Sequence, residues 1–82
     1  MELKLIWKHA RAAALECCEG SIYEMAQLCQ IYLNGKFYKE TKQVVNVLYD
    51  LEPEKEYCVA VQKGEEKSEI VFCTESQDYT LN

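Results

Sequence analysis

Three features that point directly to a function are missing from this sequence. No apolar run approaches the roughly 20 residues that a membrane-spanning helix needs. There is no Cys-x-x-Cys motif, and the single histidine, His9, is far in sequence from every cysteine, so a zinc site is not expected. The nine basic residues are scattered along a chain of net charge −5, which argues against nucleic acid and against an anionic membrane as partners.

Residues suited to catalysis are also scarce. His9 has no nearby serine or cysteine with an orienting acid, so a nucleophilic triad is not supported. The only aspartates are Asp50, in a predicted turn, and Asp78, in the C-terminal tail, and the glutamates fall at predicted turns or on the solvent faces of predicted strands. We therefore predict that this chain is not an enzyme and has no catalytic residues, no metal site and no cofactor.

The five cysteines are an odd number without the spacing of a disulfide framework. They predict reduced thiols that serve as small hydrophobic residues. Cys58 and Cys73 are near neighbours if the strands that carry them form a regular hairpin. A disulfide between them is then geometrically conceivable, although a reducing compartment favours two thiols.

The N-terminal stretch predicts a cytoplasmic location. Residues 1–9 carry charges inside their apolar stretch, so they do not have the pattern of a signal peptide. Together with the cysteines, the starting methionine favours a cytosolic domain over a domain from which a signal has been removed.

The pattern of hydrophobic residues predicts an all-β domain. A chain of 82 residues fits one small domain with a thin core. Seven short segments show period-2 alternation or β-branched composition, with turn signals every eight to twelve residues. They cover residues 2–8, 12–18, 28–33, 36–40, 44–49, 57–62 and 67–74. Residues 19–21 are expected to form a turn, and residues 22–27 a loop. This pattern is typical of a two-sheet antiparallel sandwich.

Asn34-Gly35 is the strongest short hairpin signal in the chain, because a type I′ turn needs positive φ at both central residues. A two-residue turn at this point pairs Leu33 with Lys36, Tyr32 with Phe37, and Ile31 with Tyr38. Residues 63–66, which contain Gly64, predict a second hairpin turn.

The spacing Leu51-x-Pro53-x-x-x-Tyr57 predicts a tyrosine corner. In this device a tyrosine at the start of a strand directs its hydroxyl back to the backbone a few residues upstream. Its ring then lies in the core, which fixes the phase of the strand. Alternate residues such as Cys58 and Ala60 must therefore face outward.

These residues resemble a fibronectin type III-like domain. Tyr57-x-Val59-x-Val61 after Leu51-x-Pro53, and a final strand ending in Thr74-Glu75, look like the last two strands of that immunoglobulin-like fold. Ala13-x-Leu15-x-Cys17 looks like its second strand. The family usually has a tryptophan where Cys17 stands. The resemblance suggests that Trp7 supplies the missing bulk from the neighbouring strand.

A narrower resemblance covers nearly the whole chain. Four pieces are similar to the N-terminal module of some bacterial polygalacturonase-type glycoside hydrolases: Arg11-Ala12-Ala13-Ala14-Leu15-Glu16, Gly20-x-Ile22-Tyr23, Ile31-Tyr32-Leu33-Asn34-Gly35-Lys36 and Val44-Val45-x-Val47-Leu48-Tyr49-x-Leu51-x-Pro53. The resemblance implies a non-catalytic module, residues 1–75, and a linker, residues 76–82, leading to a pectin-degrading β-helix domain. That catalytic domain of the same polypeptide is the implied partner, which the module would orient or stabilise.

One predicted surface remains to be assigned. Six residues are expected to form an apolar outer face on one sheet: Tyr32, Phe37, Cys58, Ala60, Val71 and Cys73. This face could dock another domain or a second copy of the chain, since large apolar surfaces usually mark contacts. It could also stack sugar rings on Tyr32 and Phe37, as in a carbohydrate-binding module, or be cross-strand packing alone. A stand-alone protein-interaction domain is the remaining alternative.

Overall fold

The chain forms two antiparallel sheets packed face to face. The computed structural model describes residues 1–18 and 24–77. Its strands are β1 (Glu2–Lys8), β2 (Ala13–Cys18), β3 (Glu24–Leu33), β4 (Lys36–Gln43), β5 (Val45–Leu48), β6 (Glu56–Lys63) and β7 (Glu66–Cys73). The three-stranded sheet has the order β1-β2-β5, and the four-stranded sheet has the order β4-β3-β6-β7. The predicted seven-stranded antiparallel β-sandwich is confirmed.

Two strand boundaries differ from the prediction by three residues or more. Strand β3 begins at Glu24, so residues 24–27 are strand where a loop was predicted, and β4 continues to Gln43 instead of ending at Glu40. β4 is an edge strand, and edge strands often carry polar and charged residues. The added residues of β4 are polar, so they lack the hydrophobic alternation from which a strand is predicted. The predicted turn at 19–21, residues 22–23 and residues 78–82 lie outside the described residues.

The core lies between the two sheets and is built by the alternation of each strand. Fully buried side chains come from β2 and β5 of the three-stranded sheet, from β3 and β6 of the four-stranded sheet, and from the loop after β5. The largest of them are Leu15, Ile31, Leu48, Leu51, Val59, Val61, Asn46, Cys17 and Cys29. Tyr57 and Phe72 complete this cluster, with ring centroids 6.0 Å apart. Because the core takes one face of each sheet, both outer faces are left for solvent or partners.

The β3–β4 hairpin has the predicted turn and a bulge that was not predicted. Asn34 and Gly35 have φ of 51° and 84°, as a type I′ turn requires. Tyr32 pairs with Phe37 as expected, but Ile31 pairs with Lys39, so the predicted pairing of Ile31 with Tyr38 is wrong. The Tyr38 side chain packs against the core, as alternation from the outward Phe37 requires, and the bulge shifts the pairing from Lys39 onward.

A second bulge, between Leu5 and Trp7 in β1, corrects the expected position of Trp7. One added residue reverses the inward and outward alternation, so Trp7 pairs with Ala14 on the outer face of the three-stranded sheet. Trp7 is 38% exposed and is not part of the core cluster. It therefore does not supply core bulk beside Cys17.

Strand β1 also ties the two sheets together along one side. The Lys8 Nζ donates a hydrogen bond to the Cys73 carbonyl at 2.7 Å. At the other end of the strand, the Met1 ammonium pairs with Glu66, and the Ser68 hydroxyl donates to the Met1 carbonyl. β1 thus runs beside β7, in the same direction, with both of its ends attached. Across residues 1–18 and 24–77 the structure has no helix long and apolar enough to cross a membrane.

Candidate functional site

The tyrosine corner sets the geometry of the four-stranded sheet. The Tyr57 hydroxyl accepts a hydrogen bond from the Glu52 N–H at 2.8 Å, and the ring is buried. Pro53 and Glu54 form the turn between them, with Glu54 at φ 50°. A proline followed by a residue of positive φ is typical of a type II turn. Leu51, the first residue of the motif, is buried in the core.

A second side chain holds the same corner, and the sequence motif did not reveal it. Thr74 follows β7 and is buried. Its hydroxyl donates to the Glu52 carbonyl at 2.5 Å and accepts from the Lys55 N–H at 3.0 Å. The N–H and carbonyl of Glu52 are therefore satisfied by two side chains, that of Tyr57 in β6 and that of Thr74 directly after β7. A polar residue among apolar alternates at the end of a final strand is the signal that could have found it.

With Tyr57 inward, the alternate residues of β6 and β7 lie on the outer face of the sheet. The structure brings all six predicted residues together there: Tyr32, Phe37, Cys58, Ala60, Val71 and Cys73. We call this set the Phe37 patch. Phe37 and Val71 are 60% and 56% exposed. Ala60 is only 8% exposed, because its small side chain lies below the level of its neighbours.

The Phe37 patch consists of a raised part and a hollow. The Tyr32 and Phe37 rings are 5.9 Å apart and meet edge to face at 77°. Beside them is a hollow of about 280 Å³. It is lined by Tyr32, Gly35, Cys58, Ala60, Gln62, Lys67 and Glu69. The hollow exists because Gly35, Cys58 and Ala60 are small, while Tyr32 and the charged residues of β7 stand around them.

Asn34 fixes the position of β6 in this patch. Its N–H donates to the Cys58 carbonyl, and its side-chain Oδ1 accepts from the Cys58 N–H, both at 2.8 Å. In the left-handed conformation of a turn the Asn34 carbonyl cannot continue the ladder, so the amide side chain replaces it. The Asn-Gly signal predicted the turn but not this second role.

Cys58 and Cys73 both lie on the patch and both carry free thiols. The register pairs Cys58 with Val71 and Cys73 with Glu56, so the two cysteines are diagonal neighbours. Diagonal Cα atoms lie roughly 7–8 Å apart, which is wider than a disulfide usually bridges. Among the described residues, no group of three or more His, Cys, Asp or Glu side chains could hold a metal ion.

The comparisons with known proteins identify the fold. No protein-family model matches the chain, and no curated protein matches it. The central fibronectin-III array of RIM-binding protein is similar over 94% of this chain, with a TM-score of 0.72 and 12% sequence identity. The fold is of the fibronectin type III kind. The chain spans 31% of the length of that structure, so it corresponds to a part of the array. At this identity the likeness extends to the fold alone.

The outer face of the three-stranded sheet carries a second apolar area that the sequence did not predict. Trp7 covers Ala14 there and contacts His9, with ring centroids 5.0 Å apart. The other exposed hydrophobic side chains of this sheet and its ends are Ile6, Val45 and Tyr49. The β1 bulge is the cause, because without it Trp7 would have faced the core.

Proposed function

We propose that this domain is a non-catalytic protein-docking module and that the Phe37 patch is its docking surface. The observation that carries the proposal is the exposure of Phe37 and Val71 on a sheet whose other face already forms the core. Their exposure leaves apolar surface in water that a partner would bury. The surrounding side chains, such as Gln62 and Lys67, would form a polar rim.

The shape of the patch favours a protein partner over a sugar. A sugar ring stacks on an aromatic face that lies flat on the surface. Tyr32 and Phe37 meet edge to face at 77°, so the two rings cannot both present their faces in one plane. The adjoining hollow, floored by Ala60, would instead receive a protruding side chain, which is how protein interfaces place their anchors.

The narrower hypothesis concerns the parent protein. The hypothesis is that this domain is an accessory module of a pectin-degrading β-helix domain. It is supported by the resemblance of the sequence pieces around Asn34-Gly35 and Leu51-x-Pro53 to such modules. In that case the Phe37 patch would pack against the catalytic domain of the same polypeptide, and the domain would work in the cytoplasm, as the sequence predicts. Reading the gene beyond Asn82 tests the parent, and absence of a β-helix region there would contradict it.

A photo-crosslinking amino acid at position 37 tests the docking surface. The expected result is a crosslink to a defined protein, which the purified wild-type chain then binds in a titration. Phe37→Ser should abolish that binding, because it removes an exposed apolar anchor. Tyr49→Ser is the matched control, since Tyr49 is as exposed as Phe37 at 61% but does not belong to the patch.

Two outcomes would contradict the proposal. One is binding that Phe37→Ser leaves unchanged. The other is saturable binding of oligogalacturonide at millimolar concentration that Phe37→Ser and Tyr32→Ala abolish, which would establish the carbohydrate-binding alternative.

A further inference from the structure

The outer face of the four-stranded sheet has a regular arrangement of side chains in rows. The upper row, read from β4 to β7, is Glu40, Gln30, Gln62 and Lys67. The next row is Phe37, Tyr32, Ala60 and Glu69. The third row contains Asn34 of the turn, Cys58 and Val71. Each row crosses all four strands or ends at the β3–β4 turn.

The two halves of these rows are complementary in charge and in size. In the upper row a carboxylate, Glu40, stands on β4, and an ammonium, Lys67, stands at the opposite end on β7. In the next row the large Tyr32 on β3 lies beside the small Ala60 on β6, which floors the hollow. The β4–β3 half therefore carries an acid and two large rings, and the β6–β7 half carries a base, a hollow and the acid Glu69, which is paired with Lys67.

This arrangement is self-complementary under one symmetry operation. A two-fold axis parallel to the strands, between β3 and β6, turns a second copy face to face with the first and keeps each row opposite its equivalent row. β3 of one copy then faces β6 of the other, and β4 faces β7, so that Phe37 of each copy lies against the Glu69 side chain of the other. An isologous contact of this kind makes every interaction twice.

We propose that the occupant of the Phe37 patch is a second copy of this chain, related by that two-fold axis. Tyr32 of each copy enters the hollow above Ala60 of the other. Glu40 of each copy faces Lys67 of the other. This inference rests on the proposed docking function, and it names the partner.

The charged side chains of Glu40 and Lys67 are available for such a contact. Glu40 is exposed and accepts a surface hydrogen bond from the Gln30 Nε2 at 2.8 Å. Lys67 and Glu69 are 3.6 Å apart, and both side chains are half exposed. Surface pairs of this kind are weak, so Lys67 can exchange Glu69 for an acid on a partner or bind both.

The size of the face predicts a weak dimer. Four strands about 4.8 Å apart and eight residues of about 3.3 Å rise give roughly 500 Å² per copy. The total of roughly 1,000 Å² is at the lower end for specific interfaces. We therefore expect association in the micromolar range, not the nanomolar.

Sedimentation equilibrium under reducing conditions, over a wide range of protein concentration, tests the inference. A reductant is needed because Cys73 is exposed and could otherwise crosslink copies. Wild type should dimerise reversibly. Glu40→Lys and Lys67→Glu alone should each weaken dimerisation about tenfold or more, since each places like charges opposite one another. The double variant Glu40→Lys/Lys67→Glu should restore it to near the wild-type constant.

Two further variants distinguish the contribution of the hollow to dimerisation from a general effect of surface substitutions. Ala60→Leu fills the hollow and should weaken dimerisation, while thermal unfolding at low concentration checks that the monomer still folds. The matched control reverses Lys4 and Glu16, a cross-strand pair on the three-stranded sheet, and should leave dimerisation unchanged.

The results distinguish the inference from the proposed function. A wild-type chain that stays monomeric at millimolar concentration overturns the second-copy occupant, whereas the docking function is judged separately by the crosslink at position 37. Dimerisation that the double charge reversal fails to restore overturns the two-fold geometry. Dimerisation that is lost singly, restored doubly and insensitive to the control supports it.

Discussion

Removing the Tyr57 hydroxyl tests how the fold is held at its corner. Tyr57→Phe keeps the buried ring but leaves the Glu52 N–H without its acceptor. In the wild-type chain that acceptor, the Tyr57 hydroxyl, lies 2.8 Å from the Glu52 nitrogen. A buried donor left unsatisfied costs roughly 1–3 kcal/mol. Because the site is partly buried, we expect a loss of about 1–2 kcal/mol in the free energy of unfolding.

That loss is measurable in so small a domain. At roughly 0.05–0.15 kcal/mol per residue, the whole chain has a stability of about 4–12 kcal/mol. Urea denaturation followed by circular dichroism should show a lower midpoint with an unchanged m-value. The thermal midpoint should fall by about 4–8 °C for each kcal/mol lost.

Thr74→Val extends the test to the second side chain of the corner. The isosteric change leaves the Glu52 carbonyl and the Lys55 N–H without their partner, so the loss should be about 2 kcal/mol or more. In the double variant the two losses should not add, because both hydroxyls hold the same turn and releasing it once removes part of the second cost.

Tyr49→Phe is the matched control for Tyr57→Phe. Tyr49→Phe removes a hydroxyl from an exposed ring and should change stability by less than about 0.5 kcal/mol. A Tyr57→Phe midpoint equal to that of wild type would refute the reasoning. Strict additivity with Thr74→Val would show that the two hydroxyls act independently.

Three further changes test the turns. Asn34→Gly keeps positive φ but removes the acceptor for the Cys58 N–H, so exchange of that amide should accelerate at a cost of about 1 kcal/mol; Asn34→Asp, which keeps the oxygen, should restore most of the protection. Gly64→Ala should lower the free energy of unfolding by about 1–2 kcal/mol, and the thermal midpoint with it. Residue 64 has φ +62°, and a Cβ there would lie 3.0 Å from the Gln27 Nε2. An unchanged midpoint would contradict the left-handed conformation. Glu54→Gly should raise the free energy of unfolding by up to about 1 kcal/mol, and with it the urea midpoint, since Glu54 has φ 50° and glycine adopts that conformation without strain. A lower midpoint would show that the Glu54 side chain stabilises the turn.

Local patterns predicted most of the fold because the inward residues of most strands are apolar and alternate with outward residues along the sequence. The Asn34-Gly35 turn was predictable because asparagine and glycine accept the positive φ that a type I′ turn requires. The spacing from Leu51 to Tyr57 fixed the phase of β6. That phase placed Cys58 and Ala60 on the outer face, so the Phe37 patch was assembled from sequence alone.

The differences arise where the structure inserts a residue. The β1 bulge moves Trp7 to a face that strict alternation forbids, and the β3–β4 bulge changes the partner of Ile31 from Tyr38 to Lys39. A bulge leaves no mark in composition, because the residues around it are still good strand formers. The role of Thr74 was hidden for another reason. Its partners, at Glu52 and Lys55, are about twenty residues away in sequence, so only the packed sandwich brings them together.

The attachment of β1 to β7 has a mechanical consequence. Met1 is held near the start of β7, at Glu66 and Ser68, and Lys8 is held near its end, at Cys73. The last described residue, Gln77, accepts a hydrogen bond from the Arg11 Nε at 3.0 Å, at the opposite end of the sandwich from Met1. A stretching force applied at Met1 and Gln77 would therefore slide β1 and β7 past each other lengthwise. Both attachments would bear the load at once instead of opening one after the other, so the domain should resist tension better along this axis than across it.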